Sequence, residues 1–168
     1  MGKAFTVNVD RYDPYKTFRF KLYFGNTEVA GVSKISGGLK RMTDSIEYRQ
    51  GGDALIRKGI GRTKYDALTF ERGLTHDADF EEWANAVQKL ESGFPTTSLK
   101  NLRKDLRIEL LNEAGQPAHR YFVYRCWVSE YQALPELDAG ANGVAIEHIK
   151  IEHEGWEHDL SLAEPQQI

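Results

Sequence analysis

Several short segments of the chain alternate apolar and polar residues with a period of two, and this alternation restricts the fold more than any other feature. The first segment, residues 17–24, reads TFRFKLYF. Side chains of a strand point alternately to the two faces of a sheet, so the pattern predicts a half-buried strand. Gly25 then predicts a tight turn into a second strand, residues 27–35, which completes a hairpin and ends at Gly37.

The same alternation recurs along the rest of the chain. Further strands are predicted at residues 42–48, 65–74, 105–110, 121–131 and 144–153. The segment YFVYRCWVSEY is apolar or aromatic on both faces, so both faces are expected to be covered, one of them by another subunit. In the last strand the apolar positions change parity between Ile146 and Ile149, which predicts a β-bulge.

One segment has the period of a helix instead. Its apolar residues recur at spacings of three and four and form one stripe over residues 77–90: Phe80, Trp83, Ala84, Val87 and Leu90. Acidic residues crowd the first turns, where negative charge suits the helix dipole. Thr75 or Asp77 is the predicted N-cap, and Gly93 and Pro95 are predicted to end the helix.

Short strands joined by turns, with one packed helix, predict a mainly β fold of the sandwich or barrel type. The 168 residues are expected to form a single domain, residues 1–168, with an N-terminal arm at residues 1–14 and a C-terminal tail at residues 157–168. The tail has no periodicity and is expected to fray.

Composition excludes several classes of protein. The net charge is −3 and the pI is about 6.0, whereas a dedicated nucleic-acid binder carries a basic excess. No apolar run approaches the ~20 residues of a membrane span, and the first residues lack a signal-peptide core, so we expect no membrane anchor. Cys126 is the only cysteine; it can form no internal disulfide and is expected to be a small buried side chain.

Candidate catalytic and metal-binding residues do not form a recognisable pattern. His148, His153 and His158 are spaced by five, and on a strand an odd spacing places side chains on opposite faces. No nucleophile elbow surrounds Ser129 or Cys126. A small-molecule-binding or hydrolytic β-barrel therefore remains an alternative, although no sequence motif supports it. A nucleic-acid-binding module that uses the basic segments 48–64 and 99–107 is a second alternative.

The segment YRQGGDALIRKGIGRTK, residues 48–64, is named the arm here. It does not match the P-loop pattern, and Lys64 stands where a dinucleotide fingerprint needs its third glycine. Its apolar side chains need cover, on the protein's own core or on a partner. We predict that the arm is the projecting end of a long hairpin with legs at residues 42–48 and 65–74, and that it contacts another subunit through Tyr48, Arg49, Gln50, Gly51, Gly52, Leu55, Ile56, Arg57, Lys58, Ile60 and Arg62.

An ordered set of motifs then points to a family. The segments are FRFKLYFGNTEVAGVSKISGGLK, IEYRQGGD, RKGIGRTKYDALTFERG, DFEEWANAV, RIELLNEAGQP and NGVAIEHIKIEHEG. In this order they resemble the tail tube proteins of contractile-tailed bacteriophages and of related extracellular contractile injection systems, over residues 15–155. The segment YRCWVSEY differs from the corresponding run of many family members, so the resemblance leaves the subfamily open.

The resemblance implies a phage tail tube type of fold in which six subunits form a ring around a continuous inner β-barrel. Rings would stack into a tube inside a sheath, with a baseplate and spike at one end and a terminator at the other. DNA or effector proteins would pass through the lumen without sequence-specific binding. The resemblance implies no enzyme activity, metal or cofactor. It places the protein in a virion tail or a released particle assembled in the cytoplasm of a bacterial host. A baseplate-proximal tube initiator and a non-contractile tail tube protein are alternatives within the class.

Overall fold

The computed structural model describes residues 14–52, 54–91 and 102–165. These residues form ten strands and the helix α1, in the order β1 Phe20–Phe24, β2 Thr27–Glu28, β3 Val32–Ser36, β4 Arg41–Tyr48, β5 Arg57–Tyr65, β6 Leu68–Gly73, α1 Asp79–Glu91, β7 Lys104–Leu111, β8 Pro117–Gln132, β9 Ile146–Glu152 and β10 Gly155–His158. Neighbouring strands pair antiparallel throughout. The predicted mainly β class with a packed helix is confirmed.

The larger sheet has the strand order β2-β1-β7-β8-β9-β6-β3, with β10 added to β8. The long strand β8 connects its two halves, because its first part pairs with β7 and β10 and its second part with β9. Between these parts Arg125 adopts a left-handed φ of 52°, and the register against β7 shifts there. Such a bulge bends a strand. Immediately before the bulge the buried residue is at an odd position, Val123, and after it the buried residues are at even positions, Cys126 and Val128. This change explains why β8 has apolar residues at both odd and even positions.

Both halves of the sheet contribute to one hydrophobic core. Leu22 and Val123 come from the first half, while Phe70 and Ile149 come from the second, and each is at most 1% exposed. The helix covers this core with Phe80 and Trp83 of its predicted stripe, and Ala84 and Val87 pack against it. Trp83 of that stripe lies 4.8 Å from the ring of Phe24. Burying side chains of this size contributes about 1.5–3 kcal/mol each, so the core accounts for most of the fold's stability.

Helix α1 begins two residues later than predicted. The Asp77 carboxylate accepts a hydrogen bond of 3.0 Å from the backbone N–H of Asp79, which makes Asp77 the capping side chain. Trp83 donates its indole N–H to the carbonyl of Leu102 at 2.9 Å and so ties the helix to the segment before β7. The predicted end of the helix, at Gly93 and Pro95, lies outside the described residues.

Three predicted strand boundaries are wrong. Residues 27–35 form two short strands, because β2 turns back on β1 while β3 leaves to pair with β6. The arm residues from Arg57 onward belong to strand β5, Arg57–Tyr65, which pairs with β4 and forms the second leg of the hairpin. Consequently β6 is not a leg of the predicted hairpin; it lies inside the larger sheet between β3 and β9. The alternation of apolar and polar residues could not reveal β5, since its glycines interrupt that alternation.

The bulge predicted in the last long strand is also wrong. The register between β6 and β9 is regular, and its buried positions are Glu147, Ile149 and Ile151. The apparent change of parity arose because Glu147, a charged residue, occupies a core position. The irregularity lies in the partner strand β8, where the register shifts between Val128 and Glu130.

The C-terminal tail is held against the sheet rather than frayed, as far as Glu164. Strand β10 reaches His158, and the backbone N–H of Asp159 donates to the carbonyl of Arg120 at 2.8 Å. The hydroxyl of Tyr15 donates to the Glu164 carboxylate at 3.1 Å. Almost all of the predicted N-terminal arm, residues 1–14, lies outside the described residues.

Candidate subunit interface

Strands β4 and β5 form a two-stranded sheet of their own, and neither pairs with the larger sheet. The hairpin is joined to the body near its base, where Arg41 lies 5.6 Å from the Trp156 ring and Tyr65 lies 5.6 Å from the His153 ring. Beyond Met42 every residue of β4 is exposed. An isolated two-stranded hairpin is marginally stable in water, so this one is expected to gain stability from a partner.

Cross-strand contacts and one bulge shape the hairpin. Lys64 lies 3.1 Å from the Asp44 carboxylate, and Lys58 lies 3.9 Å from that of Glu47. The register shifts between Thr43 and Ser45. There a Cβ on Gly61 would come within 2.7 Å of the Asp44 carbonyl oxygen, so this position requires glycine. Gly61 therefore serves the bulge in the hairpin backbone.

The structure brings the eleven predicted contact residues onto this one hairpin. Tyr48 ends β4, the connection holds six of the residues, and β5 carries the rest: Arg57, Lys58, Ile60 and Arg62. The arm's aliphatic side chains are uncovered, with Leu55 73%, Ile56 57% and Ile60 89% exposed. Pairing places Tyr48 opposite Arg57, and Ser45 opposite Ile60, so Tyr48 and Ile60 lie on opposite faces.

Sequence reasoning left Ile46 out of the predicted contacts, although it is 55% exposed and shares a face with Tyr48. The alternation of residues 42–48 contained this signal, because it places Ile46 and Tyr48 on the same side of the strand. Exposed apolar side chains thus lie on both faces of the hairpin.

A second exposed apolar surface lies at the other end of the larger sheet and was not predicted. It joins apolar side chains to acidic ones and is named the acidic–apolar patch: Leu74, Asp77, Asp79, Glu81, Glu82, Leu134, Glu136, Leu137, Asp138, Val144 and Ile146. The five apolar residues are between 38% and 80% exposed. Residues 74–82 and 133–146, which carry the patch, contain no Lys or Arg.

Backbone pairing holds the parts of this patch together. The N–H of Leu74 donates to the carbonyl of Ala145 at 2.9 Å, which places the end of β6 beside the start of β9. Gln132 pairs with His148, so the loop after β8 leaves the sheet at the same edge. The patch could not be recognised from the sequence, because its two segments lie about fifty residues apart and meet only in the folded chain.

A buried ion pair fixes helix α1 to this edge. Arg72, fully buried, donates from Nε to the Glu147 carboxylate at 2.5 Å and from Nη2 to the Asp77 carbonyl at 2.7 Å. Its guanidinium also lies 4.1 Å from the centre of the Phe80 ring. The Tyr131 hydroxyl donates to the other Glu147 oxygen at 3.2 Å. Burial and the Glu147 charge raise the pKa of Tyr131 to about 12.

The remaining candidate chemistry does not converge. His148 contacts Glu130, while His153 bonds the Asp66 carbonyl at 2.8 Å and His158 lies 3.1 Å from His119, so the histidines are separated as predicted. Cys126 is buried, as predicted, and burial raises the pKa of its thiol to about 12. Within the described ranges no group of three or more His, Cys, Asp or Glu side chains could hold a metal ion. No helix found there combines the length and apolar character that crossing a bilayer requires.

The basic segment 99–107 is engaged within the chain where it is described. Arg103 pairs with Glu154, and Lys104 lies 5.4 Å from the Trp83 ring. Arg107 lies 4.0 Å from the Tyr23 ring. These contacts hold the cations against the protein's own surface, which weighs against a nucleic-acid patch there.

A groove of about 810 Å³ opens between β1, β3 and the β7–β8 pair. Its walls are mainly apolar and aromatic, and Lys34 is the charged residue that lines it. A hydrolytic site needs an acid, a base or a nucleophile within hydrogen-bond reach of a substrate. Of the lining residues, Ser33 donates its hydroxyl to the Glu71 carbonyl and Lys34 lies 3.9 Å from the Glu71 carboxylate, so both are engaged within the sheet.

Fold and surface together define a mainly β protein: an antiparallel sheet with one packed helix and a projecting hairpin that leaves apolar residues uncovered. The family model of the T4-like virus tail tube protein gp19 matches residues 16–157. The chain belongs to this tail tube protein family.

Solved structures share the fold. A chain of the sheath–tube complex of the extracellular contractile injection system PVC is 23% identical, with a TM-score of 0.72 over 87% of this chain and 91% of that one. A chain of the anti-feeding prophage tube-terminating cap is 23% identical, with a TM-score of 0.74 over 94% and 99%. A chain of the anti-feeding prophage baseplate is 22% identical, with a TM-score of 0.70 over 88% and 97%. No curated protein sequence matches significantly.

Proposed function

We propose that this chain is the repeating subunit of the inner tube of a contractile phage tail or phage-like injection particle. Six copies form a ring around a lumen, and the rings stack into a tube. The exposed arm is the observation that carries this proposal. An aliphatic residue such as Ile60, 89% exposed on a hairpin with no support from the sheet, is costly for a monomer and useful only where a partner covers it.

The arm contacts a neighbouring subunit through Tyr48, Arg49, Gln50, Gly51, Gly52, Leu55, Ile56, Arg57, Lys58, Ile60 and Arg62. The outer edges of β4 and β5 are unpaired with the larger sheet, so a neighbour's strand can also extend the hairpin. Burying the exposed apolar side chains supplies the driving force, at roughly 25 cal/mol per Å² removed from water.

The partners of the tube are a sheath around it, a baseplate with a spike at one end and a terminator at the other. Support comes from the similar chains, which belong to a sheath–tube complex, a tube-terminating cap and a baseplate. DNA or effector proteins pass through the lumen without sequence-specific contacts. The tube resides in a virion tail or a released particle and is assembled in the cytoplasm of the bacterial host.

The direct test is electron microscopy of the purified chain at increasing concentration. Rings and tubes are expected, and particles that stay monomeric at every concentration and salt condition would contradict the proposal. The double variant Ile56→Asp/Ile60→Asp should remain folded yet form no tubes, because assembly would bury two carboxylates. Leu160→Asp is the matched control, since Leu160 is 85% exposed but lies outside the arm. Equal assembly of the wild type and the arm variant would exclude the arm as an interface.

A further inference from the structure

The hairpin and the acidic–apolar patch lie at opposite ends of the same two strands. The base of the hairpin meets the body at the start of β6 and the end of β9, where Tyr65 packs on His153. The patch lies where β6 ends and β9 begins, since Gly73 pairs with Ile146. The six residues of β6 span about 20 Å at ~3.3 Å per residue. The base of the hairpin and the patch therefore lie at opposite ends of the β6–β9 pair.

The chemistry of the two surfaces is complementary. The arm has five basic residues and one acid, a charge of +4, and because the whole chain carries −3, the other residues carry −7. The patch holds six of the acids, and its segments hold no Lys or Arg. Both surfaces also expose aliphatic side chains, with Ile60 89% exposed on the arm and Val144 80% exposed on the patch. Each surface thus exposes aliphatic side chains together with charged ones, and the net charges of the arm and the patch have opposite signs.

We propose that the arm of one copy docks on the acidic–apolar patch of the next copy, and this proposal rests on the tube function proposed above. The aliphatic residues of the arm pack against Leu134, Leu137 and Val144. The basic residues of β5 face the carboxylates of the first turn of α1 and of the loop after β8.

A contact between two different surfaces of a molecule is heterologous and repeats from copy to copy. Because these two surfaces lie at opposite ends of β6 and β9, the contact runs from one ring to the next rather than around one ring. The docking therefore defines a direction of growth along which copies add. Opposite charges across an interface also fix register and speed encounter. The apolar groove is a poorer receiver for the arm, because its charged lining residue, Lys34, would repel the arm's cations.

The buried ion pair of Arg72 and Glu147 orders the patch that receives the arm. It holds the start of α1 against the edge of the sheet where β6 ends and β9 begins, before a partner arrives. The Tyr131 hydroxyl, near the end of β8, donates to the same Glu147 carboxylate, so Glu147 links the end of β8 to Arg72 and through it to the start of α1. A preorganised receiver binds without the cost of ordering its parts.

Cysteine cross-linking between two variants tests the docking directly. Ile56→Cys chains are mixed with Leu137→Cys chains that carry a larger tag, and the mixture is oxidised mildly under assembly conditions. We expect a cross-linked product of mixed size. The native Cys126 does not interfere, because it is buried. Leu160→Cys replaces Leu137→Cys in the control mixture, which should yield at least tenfold less product. Equal yields from the two mixtures would overturn the docking.

Micrographs of the same samples separate this inference from the proposed function. Tubes that form without arm-to-patch cross-links would overturn the docking and leave the tube function standing. If neither tubes nor cross-links form at any concentration, both proposals fail.

Charge reversal supplies a second test that cysteine geometry cannot bias. Lys58→Glu on the arm and Glu136→Lys on the patch should each raise the concentration needed for assembly, by about two- to fivefold for an exposed pair. The combined variant should return towards the wild-type concentration. Glu113→Lys, in the turn between β7 and β8, is the control and should leave the concentration unchanged. Additive losses in the combined variant would contradict the proposed contact.

Discussion

The larger sheet and the β4–β5 hairpin are built from the same kind of strand but use it in opposite ways. In the sheet, Phe70 and Ile149 are fully buried within the chain. In the hairpin, Ile60 is 89% exposed although it lies in a strand that pairs antiparallel with its neighbour, as the strands of the sheet do. Apolar burial drives folding wherever the chain can supply both surfaces, and it drives association where a second copy must supply one. The comparison places folding stability in the sheet and makes the hairpin the proposed site of assembly.

The ion pairs of the two regions differ in the same way. Arg72 and Glu147 are paired at 2.5 Å with side chains 1% and 3% exposed. Lys58 and Glu47 are paired at 3.9 Å with side chains 71% and 56% exposed. Water solvates the second pair whether or not it forms, whereas loss of one partner from the first leaves a charge buried without compensation.

The largest expected effect follows from this difference. Arg72→Met should lower the free energy of unfolding by about 3–5 kcal/mol, because the Glu147 carboxylate would remain buried without its partner. Urea denaturation of the dilute monomer measures the change. The matched variant Lys58→Met in the hairpin should cost less than about 1 kcal/mol. Similar losses of stability in both variants would contradict the difference claimed between the buried ion pair of the sheet and the exposed ion pair of the hairpin.

The alkaline limit of stability should also depend on the sheet. Burial raises the pKa of the Cys126 thiol to about 12, whereas a thiol in an unfolded chain titrates near about 8.5. Between these values the folded chain keeps a proton that the unfolded chain releases. The free energy of unfolding should therefore fall as the pH rises, by about 1.4 kcal/mol per pH unit from this group.

Urea denaturation between pH 8 and pH 11 measures that slope, and Cys126→Ala is the control that removes the thiol's contribution. We expect a shallower slope for Cys126→Ala than for the wild type. Identical slopes would mean that the thiol ionises with little cost in the folded chain.

Two glycines allow a matched test in which the expected loss of stability is of intermediate size. A Cβ on Gly37, which has a φ of 91°, would lie 2.6 Å from the Ala67 carbonyl oxygen, and one on Gly61 would lie 2.7 Å from that of Asp44. Gly37→Ala should destabilise the whole fold by about 1–3 kcal/mol, because Gly37 joins β3 of the larger sheet to the hairpin. Gly61→Ala should leave the global free energy of unfolding nearly unchanged and act on the hairpin alone.

Hydrogen exchange distinguishes these two outcomes. In Gly61→Ala only the amides of β4 and β5 should exchange faster, since local opening of the hairpin does not require the sheet to unfold. If amides of the sheet such as those of β9 also lose protection, the hairpin contributes to the stability of the sheet. The proposal that the hairpin opens independently of the sheet would then be wrong.

The smallest expected effect is that of the assembly variant on the monomer. Ile60→Asp should change the free energy of unfolding by no more than about 0.5 kcal/mol, because its side chain is exposed before and after the substitution. Thermal or urea denaturation below the assembly concentration checks this. A loss above 1 kcal/mol would show that the hairpin packs on the body in solution.

Much of the fold could be predicted from alternation and from the helical stripe. The pattern of residues 17–24 placed β1, and the stripe of Phe80 and Trp83 placed α1 within two residues. Prediction was wrong where a core position carries a charge: Glu147 looked like an outward residue, so a bulge was predicted in β9 that lies instead in β8. It also missed β5, whose glycines interrupt the pattern that a strand needs for recognition.

The candidate interface could be predicted only in part, for a different reason. The arm was recognisable because Leu55, Ile56 and Ile60 stand between glycines in one continuous segment. The acidic–apolar patch was not recognisable, because Leu74 and Val144 come together only after β6 pairs with β9.

The sequence by itself determined which segments are strands with one apolar face, where the helix lies, and that a cationic segment carries aliphatic residues in need of cover. Side-chain periodicity and local charge are properties of consecutive residues, so they can be read without coordinates. The tertiary structure alone decided which strands pair, that Arg72 and Glu147 meet in the core, and that the arm and the acidic–apolar patch lie at opposite ends of the body. Those facts depend on contacts between residues distant in the chain, and local pattern does not record which distant segment a strand will meet.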